Sequence, residues 1–157
     1  MSLQFKNTLG GATVPFEPLE PGRVRLYSCG PTVYAPAHVG NFRAFVFADL
    51  VHRALRFFGY DVTWVMNITD VDDKIIRGAG VAGEDIGHFT ERYTQAFLDD
   101  LTTLNVDRPD IMPRATEHID DMVTLIEALL EKGHAYQAED GSVFFRIGSW
   151  PAYGKLA

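Results

Sequence analysis

Apolar residues recur along this chain with two different periods, and together they predict strands that alternate with helices. "RVRLYS" at residues 23–28 alternates apolar and polar positions, as expected of a strand. "DVTWVMNI" at residues 61–68 is a mostly apolar run, typical of a strand covered on both faces. Between them, residues 41–58 repeat apolar side chains every three or four positions, which predicts a helix. Residues 23–68 therefore form a predicted right-handed βαβ unit with a parallel sheet.

The predicted helix at 41–58 has one apolar stripe for packing on that sheet. The stripe consists of Phe47, Leu50, Val51, Ala54, Leu55 and Phe58. The opposite face holds Asp49, Arg53 and Arg56, and Gly59 is expected to end the helix. Phe42 and Phe45 lie off the stripe, which indicates that this helix is covered on more than one side.

The other segments predict helices at 69–133 and a hairpin at 134–157. Helical periodicity occurs in "DVDDKIIRGAG", from about Glu84 to Leu104, and from a cap at Thr116 to Gly133. The hairpin turns at "EDG", where glycine permits a positive φ. Residues 1–22 are crowded with glycine and proline and are expected to be a loop-rich leader.

Composition narrows the function classes. The chain has 157 residues, 46% of them apolar, and a net charge of −7. That acidic balance argues against a broad electrostatic grip on nucleic acid, which needs a basic patch. No apolar run approaches the ~18 residues that span a bilayer, and the first residues do not resemble a secretion signal, so we expect a cytoplasmic protein. The single cysteine, Cys29, is a buried thiol, a reactive thiol or a metal ligand.

The stretch "CGPTVYAPAHVGN" at residues 29–41 joins the first of these strands to the helix. Ligands bind at such crossings, at the carboxyl ends of parallel strands. His38 and Asn41 lie three positions apart, so both would face one way from a helix N-terminus that attracts phosphate. Gly40 would leave room for a base or ribose beside the backbone. On spacing alone, a capping Asn41, a turn at Gly40 and a surface His38 are the more common interpretation.

Other polar and aromatic residues have two interpretations each. Asp70, Asp72 and Asp73 offer hard oxygen ligands for a metal, but helix capping is favoured. Trp64 is a stacking platform or, more in keeping with its apolar strand, a core residue. The remaining histidines lack metal-like spacing and are taken as structural or surface residues: His52, His88, His118 and His134.

Longer segments of the chain resemble cysteinyl-tRNA synthetases. "HVGN" resembles the first ATP-binding signature of class I aminoacyl-tRNA synthetases, and "YSCG" the zinc-binding cysteine that precedes it. "NITDVDDKII", "RPDIMPRATEHI" and "KGHAY" are also similar to that family. The resemblance extends from "FKNTL" to "YGKL", nearly the whole chain.

The resemblance implies a fold, an activity and roles for particular residues. The fold would be a Rossmann-like α/β domain with a parallel sheet and flanking helices. The activity would be ATP-dependent activation of cysteine and its transfer to tRNA. His38 and Asn41 would then stabilise the ATP phosphates and Gly40 would contact the adenosine. Cys29 would be a zinc ligand, with Gly30 and Thr69 at the substrate cysteine, although Thr69 would serve equally in helix capping.

The chain also departs from that family. We find no lysine-rich second signature, no further zinc ligands of the family and no tRNA-reading helical domain. Residues 1–157 are therefore interpreted as the first half of a class I catalytic domain, inactive alone. Two alternatives stay open: a stand-alone nucleotide- or partner-binding module, and a related cysteine-activating ligase of thiol biosynthesis. A complementing chain is a further partner to consider.

Overall fold

A computed structural model describes residues 3–156. The chain divides into two compact units, residues 18–118 and residues 1–17 together with 119–157. We describe each unit by itself. No helix in the described part of the chain is long and apolar enough to cross a bilayer.

The 18–118 unit is built on a parallel strand pair. Strand β3 (Arg23–Ser28) pairs with strand β4 (Asp61–Met66), and helix α1 (Val39–Phe57) connects them. Leu26 lies opposite Trp64 in this register. Beyond β4, Ile68 forms a parallel bridge to Arg114, which brings a third extended segment alongside. The predicted βαβ unit is confirmed, with a Rossmann-like α/β arrangement.

The buried face of helix α1 overlaps the predicted stripe only in part. Phe47 and Leu50 are 63% and 61% exposed. The buried residues are Phe42, Phe45, Ala48, Asp49, His52 and Leu55. The predicted stripe was wrong in part. Leu55 is buried and Val51 and Ala54 are half-buried, but the buried face also includes the polar residues Asp49 and His52, which a count of apolar side chains leaves out.

Two further helices complete this unit. Helix α2 (Asp73–Ala82) and helix α3 (Ile86–Thr103) pack on each other, and a 3₁₀ turn follows at Ala115–His118. The ring of Phe97 on α3 contacts Phe42 and Phe45 of α1, at centroid distances of 6.0 and 4.9 Å. The core also contains Trp64, Met66, Ile68 and Ile75, which are almost completely buried. The prediction that Trp64 is a core residue is confirmed.

The other unit contains two hairpins and a helix. Strands β1 (Gln4–Lys6) and β2 (Thr13–Pro15) form an antiparallel pair within the segment expected to be a loop-rich leader, so that expectation was wrong in part. The glycines at its turn adopt positive φ angles, 97° at Gly10 and 69° at Gly11, and allow the reversal. Helix α4 (Ile119–Glu131) precedes the predicted hairpin, formed by β5 (Ala135–Gln137) and β6 (Val143–Phe145).

Candidate functional site

A cavity of about 470 Å³ opens where the chain leaves β3 and enters α1. Its volume lies within the range that small-molecule sites occupy. The loop Cys29–Ala37 forms one wall, and the first turns of α1 form another. Aromatic side chains also line the cavity: Phe45 of α1, and Tyr93 and Phe97 of α3. The strand-to-helix position predicted for the ligand site therefore holds a cavity.

His38, not Asn41, is the N-cap of α1. The Nδ1 atom of His38 accepts a hydrogen bond from the Gly40 N–H at 3.0 Å. In return, the Oδ1 atom of Asn41 accepts from the His38 N–H at 3.1 Å. The Asn41 N–H donates to the carbonyl oxygen of His38 at 2.9 Å. This reciprocal arrangement is a capping box, and it pairs amides that were expected to be free for phosphate.

The same capping hydrogen bonds determine which side-chain donors of His38 and Asn41 remain available to a ligand. A neutral imidazole that accepts at Nδ1 carries its proton on Nε2, so His38 presents an Nε2–H donor. Asn41 accepts through Oδ1 and keeps both protons of its side-chain amide. Both residues line the cavity at the positive end of the α1 dipole. The arrangement is suited to an anion, through side chains in place of backbone amides.

Gly40 is required by the capping geometry. A Cβ built there would lie 2.8 Å from Cε1 and 3.0 Å from Nδ1 of His38. The space that the glycine leaves is therefore filled by the imidazole, whereas the sequence suggested room for a base or ribose. Any larger residue at 40 would push the His38 ring off the helix end.

Gly30 and Asn67 connect the ends of the two parallel strands. A Cβ on Gly30 would overlap the backbone carbonyl oxygen of Asn67. The Oδ1 atom of Asn67 accepts from the Gly30 N–H at 3.0 Å and from the Tyr27 hydroxyl at 2.9 Å. Sequence reasoning missed Asn67. It is the first polar residue after an apolar strand, a position from which a side chain can hydrogen-bond to the end of the neighbouring strand.

Thr69 supports the cavity wall. Its N–H donates to the Pro31 carbonyl at 3.0 Å, and its carbonyl accepts from the Val33 N–H at 3.1 Å. Its hydroxyl oxygen accepts from the side-chain amide of Asn67 at 3.0 Å. Pro31 and Val33 line the cavity, whereas Thr69 is not among the described residues that do so. Thr69 therefore lies behind the loop that carries Cys29 and Gly30.

Cys29 is exposed, unbonded to another cysteine, and part of the cavity lining. A zinc site needs about four ligands, typically thiolate, imidazole or carboxylate. Within residues 3–156, no group of three such side chains includes Cys29. The described chain alone therefore does not complete a zinc site around this thiol.

A separate polar cluster lies on the buried face of α1. Potential metal-ligand atoms of Asp49, His52 and Asp107 lie within 4.8 Å of one another. Arg53 already neutralises both carboxylates, with Nε 2.7 Å from Asp49 and an Nη atom 2.6 Å from Asp107. Asp49 also accepts from the Asp107 N–H at 3.0 Å. We read this cluster as a structural network, because too few of its atoms are uncommitted to satisfy a metal.

The acidic residues after β4 cap the following helix only in part, since Asp72 is its N-cap whereas Asp73 lies in its first turn and Asp70 contacts Thr116 instead. Asp72 caps α2 by accepting from the Lys74 N–H at 2.8 Å. Asp70 is buried and accepts from both the N–H and the hydroxyl of Thr116, at 2.9 and 2.6 Å. Thr116 was expected to cap a helix itself. It lies inside the 3₁₀ turn Ala115–His118, before α4 begins at Ile119, and its N–H and hydroxyl donate to Asp70.

Several known proteins are similar to this chain. The family model for the catalytic domain of class I (C) tRNA synthetases matches residues 15–157. The chain belongs to this family. Curated relatives named cysteine–tRNA ligase are similar over almost the whole chain. Those of Alkalilimnicola ehrlichii and Halorhodospira halophila are 52% and 50% identical over 99% of this chain. That of Koribacter versatilis is 47% identical over the full chain.

The match to the curated relatives covers only part of their length, and one solved structure is similar in fold. The chain spans about a third of the length of these curated relatives, 32% to 34%. A solved structure, Mycobacterium tuberculosis methionyl-tRNA synthetase in complex with methionyl-adenylate, superposes with a TM-score of 0.61 at 22% identity. The superposition covers 78% of this chain and 26% of the methionyl-tRNA synthetase chain. At this level of identity the likeness shows the fold alone.

Proposed function

We propose that this chain is the nucleotide-binding part of a cysteine–tRNA ligase, which activates cysteine with ATP and transfers it to tRNA. The observation that carries the proposal is the His38–Asn41 capping box at the cavity. Its geometry leaves the Nε2–H of His38 and the side-chain amide of Asn41 as donors at a positive helix end. Similarity to cysteine–tRNA ligases over almost the whole chain supports the choice of reaction.

His38 and Asn41 have catalytic roles in this proposal. Adenylate formation builds negative charge on the α-phosphate, and donors already oriented toward that position stabilise the transition state. Gly40 contributes by letting the imidazole fold over the helix end. Gly30 keeps the wall close to Asn67, and Thr69 fixes the loop from behind, so both shape the place of the substrate cysteine.

Cys29 supplies one ligand to a zinc site in the proposed enzyme. Its thiol is exposed at the cavity, and the other ligands would come from residues outside this chain. Zinc binds thiolates strongly, so a bound ion would distinguish the thiol of cysteine from the hydroxyl of serine. The proposed cellular location is the cytoplasm, and the proposed substrates are cysteine, ATP and the tRNA for cysteine.

Binding of a non-hydrolysable cysteinyl-adenylate analogue, measured by calorimetry, tests the nucleotide part of the proposal. We expect wild type to bind and the His38→Ala variant to bind at least about tenfold more weakly, since a hydrogen bond to a charged group is lost. His88→Ala is the matched control, because it removes an exposed histidine from α3 away from the cavity. Equal affinity of wild type and His38→Ala would contradict the proposal.

A stand-alone binding module is the second candidate function. It is favoured by one observation, that Cys29 lacks zinc-ligand neighbours within the described chain. Such a module would bind ATP equally well with or without cysteine. Competition between cysteine and the analogue therefore separates the two functions.

A further inference from the structure

The cavity beside α1 has an uneven distribution of charge. Among the described residues that line it, Lys74 is the one that carries a full positive charge, and none carries a carboxylate. This is unusual for a chain whose net charge is −7. No pattern in the sequence indicates this, because Lys74 is an isolated lysine 33 residues after Asn41 in "DVDDKII".

The ammonium of Lys74 is held at the cavity by an aromatic ring. Its Nζ atom lies 5.0 Å from the ring centroid of Tyr34, within the distance of a cation–π interaction. Tyr34 belongs to the loop wall and lines the same cavity. Asp72 caps α2 two residues before Lys74, which fixes the backbone from which the lysine extends. Lys74 and Tyr34 are both solvent-exposed, and both line this open cavity.

We propose that Lys74, positioned by Tyr34, binds the phosphate chain of the nucleotide in this cavity. The inference rests on the proposed function and deepens it, by adding a cation to the donors of His38 and Asn41. A lysine ammonium offers three donors and a point charge, which suits the oxygens of a polyphosphate. The uncharged sugar and base have no such need for a cation, so Lys74 acts on ATP and not on adenosine.

The test compares two ligands on four proteins. ATP and adenosine are titrated by calorimetry into wild type, Lys74→Gln, Tyr34→Leu and Arg77→Gln. Arg77→Gln is the matched control, because it removes one exposed positive charge from the same helix at a residue that does not line the cavity.

We expect Lys74→Gln to weaken ATP binding about tenfold while adenosine binding is unchanged. Tyr34→Leu should give a smaller loss for ATP, and Arg77→Gln should behave as wild type. Equal ATP affinity of Lys74→Gln and wild type would overturn the role of Lys74 and leave the nucleotide site intact. A wild-type chain that binds neither ligand would overturn the nucleotide site, and the role of Lys74 with it.

Discussion

At the scale of single residues, two glycines determine how closely the parts of the site approach one another. Gly30 lets the loop after β3 touch the backbone of Asn67, and Gly40 lets the His38 ring fold over the start of α1. Neither Gly30 nor Gly40 adopts a positive φ angle. Both are therefore needed because they lack a side chain, and not because of their backbone conformation. The sequence can indicate that these glycines matter, but it cannot indicate which atoms occupy the space beside each of them.

Gly30→Ala is expected to destabilise the protein. The added Cβ overlaps the carbonyl oxygen of Asn67, so backbone must move, which costs on the order of 1–3 kcal/mol or more. Gly80→Ala is the control, because its Cβ meets nothing within 4 Å inside helix α2, where alanine is favoured by up to about 1 kcal/mol. Urea unfolding measures both. A Gly30→Ala variant as stable as wild type would show that the strand ends are not tightly packed.

His52→Phe is expected to leave stability unchanged or raise it. The Nδ1 atom of His52 is buried without a hydrogen-bond partner in the described chain, at 3.6 Å from an Asp107 oxygen. Such a group costs about 1–3 kcal/mol. Phenylalanine keeps the ring contact with Trp64, whose centroid lies 5.2 Å away. Thermal unfolding checks this, with His52→Ala as the variant that should lose stability through a cavity. A clear loss in His52→Phe would mean that Nδ1 is bonded after all.

At the scale of elements, the sequence located α1 well but mistook its start and part of its buried face. The helix begins two residues before the predicted position, because His38 caps it in the place expected of Asn41. Histidine is a rare cap, so no sequence rule favours it over asparagine. Asp49 and His52 are buried because Asp107 and Trp64 cover them, and those contacts join segments distant in sequence. A periodicity argument has no access to such partners.

Helix α3 makes a prediction about acid stability. A hydrogen bond from the His88 N–H to its N-cap, Asp85, lowers the pKa of that carboxyl below its usual 3.8. A carboxyl whose folded pKa is depressed adds stability above its unfolded pKa, and this is lost as the pH falls through the folded value. Asp85→Asn keeps a good cap without the titration. Wild type should therefore lose more stability than Asp85→Asn between pH 7 and pH 3, by urea unfolding; equal losses would contradict this.

At the scale of the whole molecule, the site combines residues that sequence motifs name with residues that only the fold brings in. The strand-to-helix crossing and the positions of Cys29, His38 and Asn41 were predicted from the sequence. Asn67 and Lys74 were missed, since each comes from the segment after β4 and contacts the loop after β3, Asn67 at Gly30 and Lys74 at Tyr34, because β3 and β4 lie side by side. Spacing along the chain identifies residues of one motif, but it does not identify residues from separate segments that the fold brings together.

The 157-residue chain by itself is expected to show no cysteine-dependent exchange of pyrophosphate into ATP. It spans about a third of its curated relatives, and Cys29 alone is too few ligands for zinc. Loss of oriented donors at such sites costs about two to three powers of ten in rate. His38→Ala is the background control, with zinc present in both assays. Exchange well above that background would show that these residues assemble a complete site, through pairing with another copy or chain.

The central claim, that nucleotide phosphates bind at the N-terminus of α1, is tested most directly by an NMR titration with ATP. We predict that the amides of Gly40 and Asn41 and the ring protons of His38 shift progressively at up to millimolar ATP. The reason is that a phosphate on Nε2 of His38 alters the hydrogen bond that Gly40 donates to Nδ1. Amides at the Gly10–Gly11 turn, which lies in the other unit, should stay unchanged. An absence of shifts at residues 38–41, or shifts centred elsewhere, would contradict the account.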